Sequence, residues 1–155
     1  MGTLIVPHLL DIPKKLLPLL EEFDNYRIFL LEGGRGGAKS QTVARFLLNL
    51  NNVYNLRTVC GREIQNTVDE SVHRLLSDLI VQYQLNYNIQ KSKISSGVKE
   101  SNFSFIGLRE QGRFNIKGLE GTDILWIEEG QAVTKPTMEI VLPTIRKTNS
   151  KIIVS

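Results

Sequence analysis

The sequence predicts a three-layer α/β domain on a mostly parallel sheet, and three observations carry that expectation. A glycine-rich loop, Gly33-Gly34-Arg35-Gly36-Gly37-Ala38-Lys39-Ser40, stands between an apolar run at 28–31 and a helix-like run at 41–50. The runs at 28–31 and 124–127 are continuously apolar rather than alternating, as strands covered on both faces should be. Between such runs lie segments with apolar residues at three- and four-residue spacing, the mark of helices packed on a sheet.

The glycine loop has the layout of a P-loop: strand, glycines, Lys-Ser, helix. A triphosphate needs many N–H donors at close range, and glycines let the backbone curl around it without Cβ clashes. The helix start adds unpaired N–H groups and the positive end of the dipole. Lys39 can reach the β- and γ-phosphates, and the Ser40 hydroxyl can ligate Mg²⁺. Ala38 stands where the last glycine of G-x-x-x-x-G-K-[ST] is usual. A methyl there is expected to require right-handed helical backbone, which starts the helix at about Ala38.

The whole chain sets bounds on these readings. Its 155 residues allow one domain with one sizeable core. Hydrophobic and charged contents of 41% and 23% are those of an ordinary globular protein. A net charge of +3 permits nucleic-acid contact without arguing for it. The single cysteine, Cys60, excludes an internal disulfide and fits a reducing compartment. No run is long and apolar enough to span a membrane, and the N-terminus lacks the pattern of a signal peptide. Val6 stands where a myristoylation signal wants Ser or Thr.

In chain order, 12–23 carries a helical stripe of Leu16, Leu17, Leu19, Leu20 and Phe23, interrupted by Pro18 into a kink or two short pieces. It reads as a cap on the sheet rather than as a base-binding segment. The first strand is expected over 26–32, and the helix after the loop buries Val43, Phe46, Leu47 and Leu50. A second strand spans 56–60, with Cys60 as a small core residue and Gly61-Arg62-Glu63 ending it. One long helix follows, striped by Ile64, Val68, Val72, Leu75, Leu76, Leu79, Ile80 and Tyr83. Thr67 and Glu70 fit a capping box that starts its regular part near Val68. His73 falls on the other face and reads as solvated; His8 is uninformative. Alternation over 88–108, with Phe103 and Phe105 on one face and a turn at Ser95-Ser96-Gly97, predicts an inserted antiparallel hairpin. Residues 109–121 are polar, with Arg109, Arg113 and Lys117 available to phosphate, although for any single one of them a solvated surface is the better reading.

The second anchor is Asp123-Ile124-Leu125-Trp126-Ile127-Glu128-Glu129-Gly130. Two acids at the C-terminal end of a buried parallel strand lie where ligands of open α/β sheets gather. In a P-loop ATPase one such acid holds Mg²⁺ and the next orients and deprotonates water, so Glu128 is assigned to the metal and Glu129 to the water. Trp126 reads as core. A short helix over 134–142 has Pro136 in its first turn and Pro143 ending or bending it, and 152–155 is a last buried strand.

These segments in this order resemble the ATPase domain of tailed-phage terminase large subunits. The likeness is carried by the glycine loop, Cys60-Gly61-Arg62-Glu63-Ile64-Gln65-Asn66, Ile116-Lys117-Gly118-Leu119-Glu120-Gly121-Thr122-Asp123, Trp126-Ile127-Glu128-Glu129 and Ile145-Arg146-Lys147. It runs over about 26–155 and is similar above all to the PBSX and Sf6-type proteins. The resemblance implies a Mg²⁺-dependent, ATP-driven motor that packages viral double-stranded DNA in the cytoplasm of the bacterial host. It implies a portal protein and a small terminase subunit as partners, a homo-oligomeric ring on the portal, and no membrane. It implies that Arg35 acts beside Lys39 at the γ-phosphate and that Glu-Glu is acceptable in place of Asp-Glu. It also places 151–155 as a central strand, inserted between the P-loop strand and the acid strand. Against the family's full length, the expectation for 1–155 is an ATPase domain truncated at its C-terminus, without the downstream nuclease domain. Two alternatives stand beside the motor: a truncated prophage remnant that binds nucleotide or partners without turnover, and a small-molecule kinase. Glu129 argues against the kinase, which activates a substrate hydroxyl rather than water.

Overall fold

The structure, a computed structural model, describes residues 12–34, 38–109 and 119–155. Arg35, Gly36 and Gly37 of the glycine loop, and Arg113, Lys117 and the rest of 110–118, lie outside the described residues.

A seven-stranded sheet forms the middle layer. Its strands are β1 (Ile28–Leu30), β2 (Arg57–Arg62), β3 (Tyr87–Ile89), β4 (Lys93–Ser96), β5 (Asn102–Gly107), β6 (Ile124–Ile127) and β7 (Lys151–Val154), in the spatial order β1-β7-β6-β2-β5-β4-β3. The first five in that order are parallel; β4 and β3 continue the edge as an antiparallel meander. This is the expected fold: mostly parallel, with the terminal strand β7 between the glycine-loop strand and the acid strand. The inserted hairpin is β3-β4, displaced from its expected place: Ser95 and Ser96, expected in a turn, pair within β4. Phe103 and Phe105 belong to β5, which is a strand of the main sheet because it pairs in parallel with β2, a partner that local alternation does not reveal.

Period-two alternation sorts the strand side chains into two cores. Cys60, Phe103, Phe105, Ile124, Trp126 and Ile153 face α2 (Lys39–Val53) and α4 (Arg74–Gln82). Val59, Leu125, Ile127 and Ile152 face α5 (Lys135–Thr144). The stripe of α2 is buried as expected at Val43, Phe46, Leu47 and Leu50. Trp126 and Cys60 are core residues, and burial pushes the Cys60 thiol up, out of the reactive range. The Pro18 break divides a 3₁₀ turn (Lys14–Leu16) from a one-turn helix, α1 (Pro18–Glu21). Phe23 then stacks on Phe29 and meets Phe46 edge-on, so it caps the core. Helix α5 starts at the Thr134 cap with Pro136 in its first turn, and Pro143 stands one residue before its end.

Several elements differ from the sequence reading. Strand β1 is short, and only Phe29 is covered; Ile28 and Leu30, on the other face, are 47% and 68% exposed. The apolar residues of α5 reach β2, β6 and β7 but not β1, which forms the edge of the described sheet. Strand β2 runs through Gly61 and Arg62 instead of ending before them, because β6 pairs with it as far as Gly61 and β5 as far as Arg62. The long helix is a single run interrupted by a π-helical turn: α3 (Gln65–Val68), Asp69–His73, then α4. Ile64 precedes this run as its cap residue and is exposed, and the capping box does not form. Thr67 is already inside the first turn and donates to the Ile64 carbonyl at 2.6 Å. His73 is partly buried rather than solvated: its Nε2 lies 2.7 Å from the Gln90 carbonyl and its ring meets Phe105 edge-on.

Gly107 sets the distance between β5 and α3. Gln65 Nε2 donates to the Phe105 carbonyl at 3.1 Å, and Gly107 N–H donates to Gln65 Oε1 at 2.6 Å. A Cβ at Gly107 would lie 2.6 Å from the Gln65 backbone nitrogen, which cannot rotate away. Gly107→Ala is therefore expected to lower stability by about 1–3 kcal/mol, read from the midpoint of a urea denaturation curve.

Candidate functional site

Parallel pairing brings three strand ends to one rim of the sheet. β1 leads into the glycine loop, β6 ends at Glu128-Glu129, and β7 lies between them and ends at Ser155. A cavity of about 370 Å³ opens there, lined by Gly33, Gly34, Ala38, Lys39, Ser40, Glu128, Glu129 and Ser155 among others. Of the residues expected to form the site, all the described ones lie together on this rim.

The two anchors touch. Ser40, in the first turn of α2, donates from its hydroxyl to Glu128 Oε1 at 3.1 Å, joining residues 88 positions apart. Lys39 folds back on the loop and donates from Nζ to the Gly33 carbonyl at 2.8 Å. Glu128 is held by the sheet: its N–H donates to the Gly61 carbonyl at 2.9 Å, and its side chain is only 13% exposed. Glu129, by contrast, has left the strand. It caps a 3₁₀ turn (Gly130–Ala132) in left-handed backbone, with φ 56° and a side chain 51% exposed. The turn is pinned to the end of β7: Gly130 N–H donates to the Ser155 carbonyl, and a Cβ on Gly130 would lie 2.2 Å from Val154 Cγ1. Trp126 anchors the same end from below, donating from Nε1 to Ser155 Oγ at 3.0 Å.

Ala38 corrects an expectation. Helix α2 starts at Lys39, and Ala38 precedes it as the cap residue with φ 57° and ψ 18°, in the left-handed region. The loop needs that turn of backbone whatever residue supplies it, which is why glycine is usual there. With alanine the conformation costs about 1–2 kcal/mol.

The sequence alone assigns Arg62 no role, yet its guanidinium is central to this rim. Nε lies 2.5 Å from Glu128 Oε2 and one terminal nitrogen 2.5 Å from Glu129 Oε2. The other terminal nitrogen donates to the Thr67 carbonyl at 3.1 Å, in the first turn of the long helix. One planar cation thus holds both acids and a helix start. The signal is present in the sequence: a base at the end of an apolar run next to the acid strand, legible once β2 and β6 are known to be neighbours.

The donor set suits a hard cation. Ser40 and Glu128 offer a hydroxyl and a carboxylate oxygen 3.1 Å apart. An edge of an Mg²⁺ octahedron is about 2.9 Å, and such ions take few protein ligands beside water and phosphate. Among the described residues, no three His, Cys, Asp or Glu side chains cluster as a closed metal cage.

Sheet order, glycine loop and acid-ended strand together define a P-loop NTPase fold. Residues 25–155 match the family described as phage terminase large subunit, and the chain belongs to that family. No curated protein matches it by sequence. Solved structures similar to it include the large terminase of a thermophilic bacteriophage in complex with ATP-gamma-S (TM-score 0.72, 11% identity, covering 92% of this chain and 37% of that one). The HK97 bacteriophage large terminase is another (0.70, 16%, 99% and 33%). A third is the Phi-28 gp11 DNA packaging motor (0.61, 18%, 94% and 49%). The chain therefore spans less than half the length of each of these three structures.

Arg62 gives the site a testable structural consequence. Arg62→Met leaves two adjacent carboxylates without their shared cation and is expected to destabilise the chain by on the order of 3 kcal/mol. Arg62→Lys keeps the charge but not the three-way geometry and should recover only part of that loss. Urea denaturation of both variants measures the difference.

Proposed function

We propose that this chain is the ATP-hydrolysing part of a large terminase and that hydrolysis at the glycine-loop rim drives packaging of double-stranded viral DNA. The observation that carries the reading is the 3.1 Å contact between Ser40 and Glu128, which joins the glycine loop to the acid strand across a cavity open to solvent. The relative from the thermophilic bacteriophage holds ATP-gamma-S, which supports a nucleoside triphosphate as the ligand here. The Phi-28 relative is a DNA packaging motor, which supports DNA as the cargo. A portal protein, a small terminase subunit and a homo-oligomeric ring on the portal complete the proposed assembly, acting in the host cytoplasm.

In this reading the backbone of Gly33 to Ser40 cradles the phosphates, and Lys39 exchanges the Gly33 carbonyl for the β- and γ-phosphate oxygens. Ser40 and Glu128 would hold Mg²⁺, which when bound would supply positive charge to the triphosphate. Glu129, exposed at the mouth of the cavity, orients water for in-line attack and accepts its proton. Arg62 is a positioning residue: it fixes the two carboxylates relative to each other and to the long helix. Arg35, outside the described residues, is assigned to the γ-phosphate by family likeness.

Lys39→Ala removes the main positive charge on the β- and γ-phosphates. Such charge-assisted bonds are worth roughly 1.5–3 kcal/mol, so Mg-ATP affinity should fall about tenfold to a hundredfold. Titration with a fluorescent ATP analogue reads this directly, and unchanged affinity would remove the glycine loop from the site.

Glu129→Gln keeps the side chain's shape and deletes its charge. Turnover should be lost while Mg-ATP affinity stays within a few-fold, whereas Glu128→Gln should first raise the Mg²⁺ concentration needed. Phosphate release followed against Mg²⁺ concentration separates the two, and parental turnover by Glu129→Gln would overturn its role.

A further inference from the structure

A larger cavity, of about 560 Å³, lies at the opposite end of the sheet, where β1 and β7 begin. It shares no residue with the glycine-loop cavity. Arg27, Arg146, Lys147 and Lys151 line it, and Asp24 supplies the one carboxylate among its described lining side chains. Lys147 pairs with Asp123 at 2.8 Å. The other three bases spend their hydrogen bonds on backbone: Arg27 donates to the Ile145 carbonyl, Arg146 to Pro143 at 2.8 Å and Lys151 to Tyr26 at 2.7 Å. Carbonyl oxygens orient a cation without neutralising it, so positive charge converges on this concave surface. Lys151 is the sharpest case, with 8% of its surface exposed and its Nζ 5.4 Å from the centre of the Phe23 ring.

A second observation points the same way. Ser150 lines the cavity, is 3% exposed, and its hydroxyl has no hydrogen-bond partner among the described residues. An unpaired buried hydroxyl is costly unless something outside the fold completes it. In a cavity lined by guanidinium and ammonium groups, such a hydroxyl is completed best by an oxyanion.

We propose that this cavity is a phosphate-binding site, separate from the glycine loop, which takes either the phosphodiester of a nucleic-acid strand or the phosphate of a free nucleotide. Arg146, exposed at the rim, supplies the long-range attraction. Ser150 and Lys151, at the base, supply the short-range contact. The volume is that of an ordinary small-ligand pocket, large enough for one nucleotide unit. Because no residue is shared with the nucleotide cavity, this site stands or falls independently of ATP hydrolysis.

Two arms test it on the full chain. In the first, anisotropy of a fluorescein-labelled DNA duplex is titrated at several KCl concentrations. In the second, a fluorescent ADP analogue is titrated against Lys39→Ala protein, whose glycine loop is impaired. Arg146→Glu is expected to weaken binding by about tenfold or more, and with DNA to flatten the plot of log affinity against log salt by about one. Ser150→Ala is expected to weaken binding while the melting temperature holds or rises, the reverse of a purely structural effect. A response in the DNA arm identifies a strand as the source of the phosphate, and a response confined to the analogue identifies a free nucleotide. Binding in neither arm, or binding that ignores both substitutions in variants that melt like the parent, overturns the proposal.

Discussion

Strand β6 is hydrogen-bonded in parallel on both sides, to β7 through Ile124–Ile127 against Lys151–Val154 and to β2 through the same residues against Thr58 to Gly61. That register decides what stands at the rim. It puts Glu128 one residue beyond Ile127, level with Arg62 on β2, and it puts the Glu129 turn against the end of β7. A slip of one residue in either pairing would turn Trp126 and Ile124 out of one core and Glu128 away from Ser40. The large fully buried side chains of β6 make such a slip prohibitive, so the geometry of an exposed polar rim is fixed by apolar packing well below it.

The acids are restrained to different degrees. Glu128 is part of the sheet, and its position follows from backbone pairing with Gly61. Glu129 sits on left-handed backbone after the strand has ended, held by Arg62 and by the packing of Gly130 on Val154. Strain of this sort, on the order of 1–3 kcal/mol, persists only where neighbours over-determine it. Here the neighbours are the ends of β2 and β7, so displacement of either strand end is felt first at Glu129.

Much of this was legible in the sequence, because the strongest signals were chemical and local. The glycine loop, the acid pair, the break at Pro18, the helix start at Pro136, and the buried runs of β6 and β7 each announce themselves over a few residues. The likeness to terminases supplied the order of β1, β7 and β6, which periodicity cannot give. What was illegible depended on partners distant in sequence. Periodicity makes 64–83 a single stripe, and nothing in it marks the π-helical turn that accommodates Asp69–His73. The exposure of Ile28 and Leu30 reflects the reach of α5, not their own composition. Arg62 reads as the end of a strand until β6 is placed beside it.

The left-handed backbone at Ala38 has a thermodynamic consequence for whatever the loop receives. A glycine at this position would occupy the same conformation nearly without penalty, whereas alanine adopts it against an intrinsic preference of about 1–2 kcal/mol. A ligand that fits only the left-handed form must make up that difference from its own interactions, so its apparent affinity falls with the population of the competent loop. The methyl group of Ala38 thereby acts as a setting on how much the rest of the fold, or anything that fills the loop, must supply to keep it in this shape.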